Sequence, residues 1–131
     1  MSTIISRELL ENAVRLHGHL GPFLVLGLKM SLRAKKILER EPSGCEIATV
    51  SSKPYLCAVD GIKAAIGNVV TVREGDGLSA KFSAKGEEIV FRVKRDLVKK
   101  YAKGPWEKCE EYAHEVMTSN DERLFECLDN L

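Results

Sequence analysis

Apolar residues recur at helical spacing at Leu9, Leu10, Ala13, Val14 and Leu16, just after Ser6. The pattern predicts an amphipathic helix that starts there and stops at His17-Gly18. Pro22 then suits the first turn of a second helix, where its missing N–H costs nothing. From Phe23 to Leu28 the chain is apolar nearly all round, after which Met30, Ala34, Ile37 and Leu38 keep one stripe while Lys29, Arg33, Lys35, Lys36 and Arg40 turn polar. A helix to about Glu39 follows, buried in its first half and emerging in its second. Gly27 inside it points to a close crossing with another element.

Glu41-Pro42-Ser43-Gly44 breaks the helix, and Cys45 to Ser51 alternates with the period of a strand. Pro54 limits that strand, and Cys57 to Ile66 reads as a short helix closed by Gly67-Asn68. Val69–Arg73, Leu78–Ser83 and Glu88–Val93 have strand chemistry, with turns at Glu74-Gly75-Asp76-Gly77 and Lys85-Gly86. They predict three antiparallel strands joined by hairpins, with one sheet face against helices. Asp96 caps a short helix through Tyr101. Pro105 opens another, with Trp106, Cys109, Tyr112, Ala113, Val116 and Met117 on one stripe and Trp106 as a core anchor. A last helix spans about Asn120 to Leu128. The fold class is α+β, with a helix-strand-helix-three-strand core over about 8–95, a mixed sheet packed against helices, and a helical extension over about 96–131, all in a single domain 1–131.

Composition narrows the function. The 131 residues are enough for a core without staples, and 44% hydrophobic against 30% charged residues indicates a folded chain. Twenty basic and nineteen acidic residues nearly cancel, which leaves no footprint for a nucleic-acid backbone or an anionic membrane. No apolar run is long enough to span a bilayer before a charge interrupts it, and no export signal is evident. The expectation is a soluble cytoplasmic protein. Cys45, Cys57, Cys109 and Cys127 form no CxxC pair, so disulfides are not expected; Cys45, Cys109 and Cys127 read as small buried hydrophobes.

Chemistry concentrates in His17-Gly18-His19-Leu20-Gly21-Pro22, which holds two of the three histidines. Two imidazoles two residues apart in non-helical backbone point to the same side, where they can share an ion. The competing reading is a helix-capping His17 and a hydrogen-bonded core His19. Cys57 adds weight, because a helix start favours a thiolate. His17, His19 and Cys57 are thus candidate metal ligands that would leave a fourth position open. Asp60 either caps its own helix or accepts a hydrogen bond from a ligand histidine. His114 lies on a solvated acidic face, and the Glu74–Gly77 loop lacks calcium-ligand spacing.

The combination of His17-Gly18-His19-Leu20-x-Pro22, Cys57-x-x-Asp60-Gly61-Ile62 and Ile66-Gly67, over about residues 8 to 95, resembles the FmdE family, whose name comes from a component of molybdenum/tungsten formylmethanofuran dehydrogenase. The resemblance implies a mixed α+β fold, a zinc or similar divalent ion near the His-x-His and cysteine positions, and a homodimer. By position, His17, His19 and Cys57 match the family's ligand-type residues and Asp60 its helical aspartate. Two family cysteines are replaced, by Gly21 and Asn68, and the C-terminal zinc-binding module that many members carry is missing. Three readings follow: a metal-binding protein, with or without a metal-dependent activity in one-carbon (formylmethanofuran) metabolism; a non-catalytic accessory subunit or interaction module of a molybdenum/tungsten dehydrogenase; and a degenerate member that binds a small organic ligand.

Overall fold

A computed structural model describes residues 3–128. Ser6 caps α1 (Arg7–His17), its hydroxyl accepting from Leu9 N–H at 3.1 Å. Gly18 ends that helix in the left-handed region, its N–H donating to Val14 O. α2 (Pro22–Leu38) starts on Pro22 as expected and is buried from Pro22 through Ser31. β1 (Gly44–Thr49) follows, then α3 (Cys57–Ile66), β2 (Val70–Glu74), β3 (Leu78–Ala84) and β4 (Glu87–Val93). The chain continues through α4 (Arg95–Lys103), a 3-10 turn (Trp106–Lys108), α5 (Cys109–Thr118), α6 (Asp121–Leu124) and β5 (Phe125–Leu128).

The five strands form one mixed sheet in the order β2-β1-β3-β4-β5. β3 and β4 make the expected hairpin, with both Lys85 and Gly86 at positive φ in its turn. The expected β2–β3 hairpin does not form. α3 carries the chain back along β1, so β2 enters alongside it in the same direction and pairs in parallel, Cys45 with Val70 through Thr49 with Glu74. The Glu74–Gly77 segment is therefore a crossing over the end of β1, held by Gly75 N–H donating to Thr49 O at 2.9 Å. β3 then returns antiparallel on the other side of β1.

The C-terminus also departs from expectation. The last helix is one turn, and Phe125–Leu128 instead pairs with the outer edge of β4, placing Phe125 5.1 Å from the Phe91 ring in edge-on contact. Helix α4 begins ahead of Asp96, which sits in its first turn while Lys94 holds the cap position. Alternate residues of β3, Leu78, Ala80, Phe82 and Ala84, are buried, and they join Phe23, Leu26 and Met30 of α2 in the main core. Cross-strand ion pairs Glu46–Arg73, Lys81–Glu88 and Arg92–Glu126 run between the less buried positions of the sheet. Among the described residues, no helix is long and apolar enough to cross a membrane.

Two contacts fix the helices. α2 and α3 cross so closely that a Cβ on Gly27 would lie 2.3 Å from Ala58 O, and one on Gly61 would lie 2.2 Å from Leu24 O. Each helix therefore gives up a side chain where the other's backbone passes. The second contact involves Lys29, expected on a polar face but 0% exposed. Its ammonium donates to Ser119 O at 2.7 Å, at the junction between α5 and α6. Beside it, buried Asp121 accepts from Thr3 N–H and the Thr3 hydroxyl and faces Arg33 Nε at 3.8 Å. Burial lowers the Lys29 pKa and the Asp121 charge opposes that shift. A long stem that packs in the core with a charge satisfied at its tip explains how helical periodicity misplaces this residue.

Gly27→Ala is expected to cost about 2–3 kcal/mol in urea unfolding, because neither backbone can yield; Gly44→Ala, with nothing among the described residues within 4 Å of its Cβ, should change stability by less than about 1 kcal/mol. Lys29→Met keeps the buried stem but strips Ser119 O of its donor, and should cost about 1–3 kcal/mol in the same assay.

Candidate metal centre

The site forms where one helix ends and two begin. His17 is the last residue of α1, His19 lies in the loop leading to Pro22, and Cys57 is the first residue of α3. One donor atom from each of His17, His19 and Cys57 lies within 4.8 Å of the other two. Asp60, one turn along α3 from Cys57, accepts a hydrogen bond from His17 Nδ1 at 2.6 Å. An ionised carboxylate only accepts, so Nδ1 is the donor of that bond, and in the neutral ring Nε2 keeps its lone pair. That Nε2 is buried and, among the described residues, has no hydrogen-bond partner, in a side chain only 8% exposed. Such an atom is costly to bury unless something meets it.

The electrostatics of the three donors differ. Burial, and then the neighbouring His17 and Lys53, lower the His19 pKa, which favours a neutral imidazole. Cys57 behaves against the sequence expectation: burial, Asp60 and Cys109 push its thiol up, outweighing Lys53 and its own helix-start N–H. The helix terminus is too weak to overcome desolvation and a nearby carboxylate. The four candidates singled out from the sequence thus come together, although the thiol is not the preformed thiolate expected.

Sequence reasoning missed the wall of the site. Trp106, expected in the core, is 71% exposed and its ring centre lies 4.8 Å from that of His19. Its i,i+3 relation to Cys109 mimics a core stripe, but α5 begins only at Cys109 and Trp106 rides on the preceding 3-10 turn. Trp106, Tyr112, Tyr101, Lys53, Cys57 and Cys109 line a cleft of about 330 Å³ beside His19. Tyr101 is positioned by its hydroxyl, which donates to Glu115 at 2.6 Å, while Lys100 holds the same carboxylate at 2.7 Å. Cys109, also expected in the core, is only partly buried, and Cys127 is exposed on β5. Cys45 is buried as expected, and burial raises its pKa to about 12. A signal for Cys109 was available: like Cys57 after Pro54, it heads a helix shortly after a proline, Pro105.

No curated protein matches the chain. The family model described as "FmdE, Molybdenum formylmethanofuran dehydrogenase operon" matches residues 16–126, a span that holds His17, His19, Cys57 and Asp60 and continues through the cleft-forming residues of α4 and α5. With most of its length inside that match, the chain belongs to the FmdE family.

Proposed function

We propose that this FmdE-family protein binds a divalent metal ion, with zinc as the expected identity, through His17, His19 and Cys57. The observation that carries this reading is the buried Nε2 of His17, unpartnered among the described residues, in a ring with a donor atom within 4.8 Å of those of a second imidazole and a thiol. Two nitrogens and one sulfur are a donor set that suits zinc and leaves room for one more ligand. When bound, such an ion supplies Lewis acidity toward an oxygen atom. The protein does the rest. Asp60 fixes the His17 ring and its tautomer through the 2.6 Å bond. Trp106 packs against His19 and restrains that ring. The aromatic walls shed water from the cleft, and Lys53 at its edge offers a positive charge to an anionic group.

A second reading has its own support, since the family's description refers to the operon of a molybdenum formylmethanofuran dehydrogenase. In that reading the chain is an accessory subunit in one-carbon metabolism and the centre serves docking.

Metal analysis of protein purified without a histidine tag should find a stoichiometric divalent ion. His17→Ala, His19→Ala and Cys57→Ser should lose it, and Asp60→Asn should weaken binding about 10–100-fold. Background metal in the unmutated protein rules the centre out. Affinity purification from native cells separates the two readings: recovery with large dehydrogenase subunits supports the accessory role, and a lone homodimer counts against it.

A further inference from the structure

We propose that Cys109, at the head of α5, supplies a fourth protein ligand to this centre. The inference rests on the metal-binding reading above and names a residue which that reading leaves out. Three observations lead to it.

The first is the space at Gly21. An ideal Cβ there would lie 2.8 Å from Cys109 Sγ and 3.4 Å from His19 Nε2. The sulfur therefore reaches across from α5 into the volume that a side chain at position 21 would fill, a volume that His19 Nε2 also borders. Gly21 is what admits it, since any larger residue would force the sulfur out.

The second observation is the cleft: His19, Cys57 and Cys109 line the same one, so the two sulfurs flank it from the heads of α3 and α5. The third is the buried His17 Nε2, unpartnered among the described residues, an atom that a ligand held between the donors would satisfy. Among the described residues, the donors that lie within 4.8 Å of one another are those of His17, His19 and Cys57, without Cys109, so in the proposed centre the Cys109 sulfur moves toward them on binding.

The consequence is a centre with two imidazoles and two thiolates, closed by protein at rest. A molecule entering the cleft reaches the ion only by displacing Cys109. The plain alternative is that Cys109 is a hydrophobic filler for the gap at Gly21.

Cobalt(II) titration of the tag-free full chain distinguishes them, because thiolate-to-cobalt charge-transfer absorption grows with the number of bound thiolates. The unmutated protein should show the intensity of two thiolates. Cys109→Ser should still bind a stoichiometric amount of cobalt, with about half the intensity and at least about tenfold weaker affinity. Wild-type affinity and intensity in Cys109→Ser overturn the proposal. If Cys109→Ser does not fold, Cys109→Ala removes the same sulfur, and unmutated affinity and intensity there are equally fatal. Failure of the unmutated protein to bind cobalt instead brings down the metal-binding reading itself, and this proposal with it.

Discussion

The close crossing of α2 and α3 is the constraint on which the site depends. Backbone meets backbone where Gly27 faces Ala58 O and Gly61 faces Leu24 O, so the two helices have one permitted separation rather than a range. Their N-termini are fixed with it. The loop carrying His19 and Gly21 feeds into α2, Cys57 opens α3, and α1 packs against α3 with His17 at its end. Donor atoms from three chain segments therefore meet without any of them lying on a long loop. Side chains placed by rigid elements hold their geometry better than side chains on mobile ones.

The buried Lys29 does the same work for the other wall. Its ammonium holds Ser119 O, and Arg33 and Thr3 hold Asp121 nearby, so α2 pins the chain where α5 gives way to α6. A charge is costly to bury, and this one is tolerated because it is hydrogen-bonded and lies near an opposite charge. With α5 fixed at its far end, Cys109 and Tyr112 are presented at its near end, and the Trp106 turn is held over His19. Both walls of the cleft are thus referred to the same helix, α2.

Local chemistry determined much of this protein. The Ser6 cap, the Gly18 stop, Pro22, and the Lys85-Gly86 turn are signals that act within a few residues, and each element they mark is found. The candidate site was legible for the same reason: His17 and His19 are near neighbours, and Cys57 and Asp60 share one helical turn. Only the tertiary structure decided what depends on partners far along the chain. β2 alternates like any strand, and its parallel place beside β1 follows from the path of α3. Phe125–Leu128 has helical spacing, but the open edge of β4 recruits it as a strand. Lys29 reads as polar until Ser119, ninety residues away, receives its charge. Cys57 reads as a helix-start thiolate until burial and Asp60 reverse the balance, and Trp106 and Cys109 read as core until α5 places them at the cleft. Periodicity fixes which face of an element is apolar; what meets that face is set by long-range packing, which no local pattern encodes.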